Sequence, residues 1–364
     1  MDDKNFKKIL VVDDSALMRR VLCDIIDSDK RFQVVDKATN GYEAFDLLSR
    51  NKYDAVVLDV NMPKMNGLQL LEELRKYKIQ AKVMMASTDT SEGAKTTLDA
   101  LELGALDFIH KPINAIDCRN DEFVTSFLET LSAVADSAPQ SFVSKQKRLE
   151  NQVSTVKVMD LAKKHAAVIP GKKAIAIASS TGGPKALMAL IPMIPKEIDA
   201  PIVIVQHMPK GFTQTLAERL DGMSKVSVKE AGEGDVLEKG HVYIARGGSH
   251  LNIVKNQRGQ EVIKYSDEPM REGVKPCSNY MYESLADSEY DNILCVVLTG
   301  MGADGTVGIG NLKKSKKVRV LAQDEESCTV FGMPKSIIKS GYADQIVSLD
   351  NMAQEIVLNV GLNS

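Results

Sequence analysis

The chain lacks a basic surplus: its 364 residues hold 46 Lys and Arg against 49 Asp and Glu, a net charge of -3. That balance argues against a large nucleic-acid footprint. Cysteine is also sparse. Cys23, Cys118, Cys277, Cys295 and Cys328 are odd in number, widely spread and without a CxxC pair, so neither a disulfide framework nor a zinc site is suggested. No stretch approaches the roughly 18 uninterrupted apolar residues of a membrane span, and the apolar run in MDDKNFKKILVVDD is too short for a signal peptide. These absences predict a cytoplasmic protein with no direct membrane insertion. The phosphate loop GxxxxGK[ST] is missing, and no GxGxxG follows a strand in the required context.

What is present is α/β alternation in two blocks, and the length predicts two or three domains. From Lys8, apolar runs at Ile9 to Val12, Val34 to Ala38, Ala55 to Val60, Val83 to Ser87 and Leu106 to Ile109 read as strands. Helical stretches such as Gly41 to Ser49, Gly67 to Tyr77 and Glu92 to Leu103 separate them, which predicts a doubly wound parallel sheet. The ligand site of such a sheet lies at the carboxyl ends of its strands. Asp13, Asp14, Asp59, Ser87 and Lys111 all fall at strand ends. Three gathered carboxylates would repel one another unless a hard cation such as Mg2+ held them. One of them can attack phosphorus to give an aspartyl phosphate, with Ser87 and Lys111 holding the phosphoryl oxygens.

Residues 7–130 thus resemble a response-regulator receiver domain of flavodoxin-like fold, on Asp13-Asp14, LDVNMPKMNG around Asp59, Ser87-Thr88 and Lys111-Pro112. The resemblance implies phosphorylation of Asp59 by a chemotaxis histidine kinase and Mg2+ on Asp13, Asp14 and Asp59. It also implies phosphate sensing by Ser87 and Lys111, an aromatic switch at Phe108 and a cis Lys111–Pro112 bond. Residues 136–171 break the alternation with a polar, Lys-rich passage that reads as a linker, His165 lying among its lysines.

The second block, 172–360, opens with AIAIASSTGGPK, a buried strand that turns at once into a helix with Pro184 in its first turn. Ser180 stands at the helix mouth, where unpaired N–H groups favour developing negative charge. Serine is also an ordinary helix cap there. The strand Pro201 to Val205 leads to His207, and the strand Asn292 to Leu298 leads into a Gly-rich loop holding Asp304. Nucleophile, base and orienting acid would then meet at the ends of three strands. The small residues around Met301 let backbone N–H groups approach an oxyanion. The Gly-rich middle, with Val236 to Ala245 and Leu251 to Tyr265 turning at Asn256 to Gly259, reads as a β-hairpin insertion in a Rossmann-like hydrolase sheet. His110, His241 and His250 have no partner in sight and read as structural or surface residues.

This block resembles the catalytic domain of the chemotaxis-specific protein-glutamate methylesterase family, on IASSTGGPKAL, VIVQHMPKGFTQTLAERL, VVLTGMGADG and VFGMPKSI. The resemblance implies Ser180 as nucleophile, His207 as base and Asp304 as orienting acid, with Thr181 and Met301 lining the site. It implies hydrolysis of glutamyl methyl esters on chemotaxis receptors without a cofactor, together with deamidation of receptor glutamines. It further implies a receiver that covers the site until Asp59 is phosphorylated. Ser179 stands where a small residue is usual, so two adjacent hydroxyls compete; Ser180 is chosen because Thr-Gly-Gly follows it directly. A receiver-controlled nucleotide- or DNA-binding output without hydrolase activity is the alternative.

Overall fold

The computed structural model describes residues 6–87, 91–112, 114–137 and 170–363. The chain divides into two compact units, Met1–Val143 and Ser144–Ser364. Most of the expected linker, with His165, lies outside the described residues, as does Thr88.

The first unit alternates β1 (Lys7–Val12), α1 (Ala16–Ser28), β2 (Phe32–Ala38), α2 (Gly41–Arg50), β3 (Ala55–Asp59), α3 (Gly67–Lys76), β4 (Val83–Ser87), α4 (Ser91–Leu103), β5 (Asp107–His110) and α5 (Asp121–Asp136). Its strands pair in parallel in the order β2-β1-β3-β4-β5. Side chains of Ser15, Asn40, Asn66 and Asn120 accept first-turn N–H groups of α1, α2, α3 and α5, the usual solution for unpaired helix donors. In α1, Met18, Val21, Leu22, Ile25 and Ile26 recur at helical spacing and are buried. Strands β3 and β4 are buried throughout, as strands covered on both faces must be. Strand order reverses between β1 and β3, which opens the crevice where Asp13 and Asp59 emerge. The cis bond expected at Lys111–Pro112 is not found; among the described residues the cis peptide is Lys275–Pro276. Trans is the lower-energy form even before proline.

The second unit runs β6 (Lys173–Ser179), α6 (Gly183–Leu190), β7 (Ile202–Gln206), α7 (Phe212–Met223), β8 (Ser227–Glu230), β9 (His241–Ile244), β10 (His250–Lys255), β11 (Glu261–Ser266), α8 (Ser278–Ser284), β12 (Asn292–Val297), α9 (Thr306–Leu312), β13 (Lys317–Gln323), α10 (Met333–Lys339), β14 (Gln345–Val347) and α11 (Leu349–Val360). Seven strands form one parallel sheet in the order β14-β13-β12-β6-β7-β9-β8. The expected hairpin is present as β10 and β11, antiparallel and outside the main sheet, with its turn at Asn256 to Gly259. The expected insertion is narrower than its sequence suggests. Val242, Tyr243 and Ile244 of β9 pair in parallel with β7, and β8 extends the sheet beyond them. A short strand before a Gly-rich turn looks like half of a hairpin; burial of Val242 to Ile244 is what draws it into the main sheet.

Candidate active site and phosphoacceptor cluster

Ser180 follows β6, the middle strand of the trio β12-β6-β7. On one side the register pairs Ser179 with Gln206, so His207 leaves β7 at the level where Ser180 leaves β6. On the other side Val297 pairs with Ala178, and the loop after β12 carries Asp304. The three residues therefore share the carboxyl edge at the point where the strand order switches direction.

Backbone contacts fix this edge. Ser180 N–H donates to Thr299 O at 3.0 Å, His207 N–H to Ser179 O at 3.1 Å and Gly183 N–H to Ser180 O at 2.7 Å. Gly182 enters α6 with φ +75°, a conformation that glycine adopts without strain. A β-carbon on Gly300 would lie 2.8 Å from Ser180 Cβ and 2.4 Å from Met333 Sδ, so only glycine lets this loop press on the serine.

Asp304 is buried, and its Oδ2 lies 2.8 Å from His207 Nε2. An ionised carboxylate can only accept, so Nε2 carries the proton and Nδ1 is left as the basic nitrogen. Burial pushes the Asp304 carboxyl up. Hydrogen bonding and charge from His207, with donors from Cys277 and Ser278, outweigh burial and hold it well below the ordinary carboxylate range. No hydrogen bond joins Ser180 Oγ to His207 among the described residues, as is common before a substrate tightens such a pair.

The adjacent serines differ sharply. Ser179 is fully buried and its Oγ donates to Gln206 Oε1 at 2.6 Å, whereas Ser180 is partly exposed. Gln206 in turn donates to Ser180 O at 3.0 Å and His207 O at 3.1 Å. Thr181 is buried, with its carbonyl accepting from Thr299 Oγ1 at 2.9 Å, and Met301 is half-buried in the loop before Asp304.

Sequence patterns did not expose Gln206, Cys277, Ser278, Asn279 or Thr299. A Ser-Asn pair before a helix signals only a cap, and here the cap comes from afar. Asp304 accepts the N–H groups of Ser278 at 2.6 Å and Asn279 at 3.0 Å, which open α8. Asn279 Oδ1 accepts Gly305 N–H at 3.2 Å and Gly308 N–H at 2.6 Å at the start of α9. His250 is buried away from this triad, accepting Cys277 N–H at Nδ1, while His241 is half-exposed.

In the first unit, ligand atoms of Asp13, Asp14 and Asp59 lie within 4.8 Å of one another. Lys111 Nζ reaches Asp13 at 2.8 Å and Asp59 at 2.7 Å, all three side chains being buried, while Asp14 is exposed. Burial raises the Asp59 carboxyl to about 6 despite the neighbouring lysine. Burial works against the Lys111 ammonium too, but Asp59 and Asp13 together raise it above its ordinary value. Three oxygens around one small volume, with one lysine against three carboxylates, fit a hard divalent cation. Ser87 closes β4 beside Asp59, its Oγ reaching Gly93 O at 3.4 Å and its carbonyl accepting Lys111 N–H. Phe108 is buried on β5 opposite Met85.

Two parallel sheets, one with an acidic cluster and lysine at its switch point and the other with Ser, His and Asp on adjacent strand ends, define a receiver-like unit joined to a serine-hydrolase-like unit. The model of the response regulator receiver domain matches residues 9–120, and that of the CheB methylesterase matches residues 175–356. A protein-glutamate methylesterase/protein-glutamine glutaminase of Pyrococcus horikoshii is 40% identical over 350 residues, spanning 96% of this chain and 92% of the relative. The Bacillus subtilis protein of the same name is 38% identical over 352 residues, spanning 96% and 97%. The crystal structure of the Thermotoga maritima CheB methylesterase catalytic domain shares 42% identity, covering 52% of this chain and 98% of its own, with a TM-score of 0.49. The chain belongs to the CheB methylesterase family. No helix among the described residues is long and apolar enough to cross a membrane.

Proposed function

We propose that Ser180, His207 and Asp304 hydrolyse glutamyl methyl esters on methylated chemotaxis receptors. The chain is a receiver-regulated protein-glutamate methylesterase/glutaminase, and these residues are its machinery. The observation that carries the assignment is the 2.8 Å His207–Asp304 contact beside the strand end that presents Ser180. His207 Nδ1 takes the Ser180 proton as Oγ attacks the ester carbonyl. The resulting oxyanion lies against two loops, that of Thr181 after β6 and that of Met301 after β12, whose backbone N–H groups are its donors. Collapse of that intermediate breaks the bond to methoxide, which leaves as methanol with the proton held by His207. Water then attacks the acyl-enzyme, His207 again taking a proton, and glutamate departs as Ser180 recovers its hydrogen. A receptor glutamine enters the same cycle with ammonia as leaving group. Ester hydrolysis needs no cofactor in this scheme.

Asp59 is the phosphoacceptor, loaded by a chemotaxis histidine kinase in the cytoplasm. Asp13, Asp14 and Asp59 would hold Mg2+, which neutralises the carboxylates and the incoming phosphoryl oxygens. Ser87 and Lys111 contact the phosphoryl group, and Phe108 relays the change. The added charge of about -1.5 to -2 then raises esterase activity in the second domain. We assign the receiver to 7–130, the linker to 136–171 and the catalytic domain to 172–360. Methanol release from methylated receptor tests this: wild type with a phosphodonor should be faster than without, Asp59→Asn should not respond, and Ser180→Ala should be inactive. Full activity in Ser180→Ala would overturn the assignment.

A further inference from the structure

The Asp304 carboxylate accepts more hydrogen bonds than orientation of an imidazole requires. Oδ1 accepts from Cys277 Sγ at 3.0 Å and from Asn279 N–H at 3.0 Å. Oδ2 accepts from Ser278 N–H at 2.6 Å, Ser278 Oγ at 2.7 Å and His207 Nε2 at 2.8 Å. A carboxylate has about four lone-pair positions, so five donors crowd it. The two amides belong to the start of α8 and already anchor the group. The thiol and the hydroxyl are additional, and the hydroxyl shares its oxygen with His207.

We propose that Cys277 and Ser278 are positioning residues that set the basicity of His207 by drawing charge from Asp304. Each donor delocalises negative charge on Asp304 that would otherwise stabilise an imidazolium, so removing one should favour the protonated ring. The thiol can keep this role across the working range. Burial first, and then the Asp304 charge, push Cys277 up to about 12, so Sγ remains protonated and donates. On α8, Tyr282 donates to Val296 O and Glu283 is paired with Arg271 at 2.7 Å. Helix α9, Thr306–Leu312, has no ionisable side chain. Behind Cys277, His250 accepts a backbone N–H, and burial lowers its affinity for a proton.

This inference rests on the proposed triad, and two measurements on the full-length chain separate them. The first is the ring titration of His207 by 13C NMR with labelled histidine; the second is the acid limb of kcat/KM for methanol release. Cys277→Ala and Ser278→Ala should each move the His207 midpoint and the acid limb upward by about 0.5 to 1 pH unit. Cys277→Ser and Ser278→Thr restore a donor and should return both to the wild-type position. His250 should titrate as in wild type in all four variants. A role limited to filling space would leave the alanine curves superimposed on wild type, and that result overturns the inference. If Cys277→Ala does not fold, Ser278→Ala against Ser278→Thr decides the same question on the other oxygen. An active Ser180→Ala would sink the triad reading instead, leaving the NMR arm to judge the donors.

Discussion

Ser179 and Ser180 are neighbours in sequence with opposite circumstances: the first spends its hydroxyl on Gln206 Oε1 at 2.6 Å inside the core, and the second is partly exposed at the strand end. Substituting each with alanine should therefore separate stability from chemistry. Ser180→Ala should lower kcat by about ten-thousandfold or more while leaving the melting temperature close to wild type. Ser179→Ala leaves a buried carbonyl oxygen of Gln206 without its donor, which costs about 1–3 kcal/mol of stability. Its activity should stay within about tenfold of wild type in the same assay. Methanol release and thermal melts on the two variants distinguish these outcomes, and the reverse pattern would move the nucleophile to Ser179.

The same pair shows what sequence could convey. Alternation of apolar runs and helical spacing made both parallel sheets legible, and strand-end position picked out Asp13, Asp59, Ser180 and His207. Periodicity could not choose between two serines, because the choice depends on which hydroxyl faces Gln206 one strand away. Nor could it reveal Cys277 and Ser278, which lie 27 and 26 positions from Asp304 and meet it only through the fold. The parallel place of β9 was hidden for a related reason. Four residues flanked by glycine-rich turns pair as their burial dictates, and burial is a property of the whole sheet.

Asp304 should make the second unit acid-sensitive. Burial favours its neutral form, but His207, Cys277 and Ser278 reverse that and depress its folded value. A depressed acid contributes stability above its unfolded value of about 3.9, and this is lost as pH falls through the folded value. The wild-type melting temperature should thus fall more steeply between about pH 5 and pH 2 than that of Asp304→Asn. At pH 7 the same substitution should cost about ten-thousandfold in kcat, because the amide cannot hold the Nε2–H tautomer. A parallel pair of melting curves would show that the carboxylate is not held as the geometry implies.

Gly300 tests how closely the Asp304 loop must press on Ser180. A methyl group there would meet Ser180 Cβ at 2.8 Å and Met333 Sδ at 2.4 Å, both inside normal contact. Met333 is fully buried and cannot swing into solvent. Gly300→Ala should displace Ser180 relative to His207 and reduce kcat by about a hundredfold, the cost of a misplacement near 1 Å. Met333→Ala should recover part of this loss when combined with Gly300→Ala, by emptying the space that the methyl group needs. Equal kcat in the single and double variants would show that contact with Ser180, and not with Met333, dominates.

Asp59 gives the first unit a pH dependence of the opposite sign. Burial is the main cause that lifts its carboxyl to about 6, so the folded state holds the proton more tightly than the unfolded chain. Stability from such a group is full below the unfolded value of about 3.9 and is lost as pH rises through about 6. At pH 8 the ionised carboxylate is therefore a burden, only partly offset by Lys111 at 2.7 Å. Asp59→Asn should raise the stability of this unit at pH 8 by about 1–3 kcal/mol, with the gain shrinking toward pH 5. Lys111 keeps its contact with Asp13 at 2.8 Å in the variant, so the ammonium is not stranded. Mg2+ should act the other way round. At a hundredfold excess over its Kd it should stabilise wild type by about 2.7 kcal/mol, and Asp59→Asn, with one carboxylate fewer, by markedly less. Melts at pH 5 and pH 8 with and without Mg2+ read both effects, and a variant stabilised by Mg2+ as strongly as wild type would remove Asp59 from the cation site.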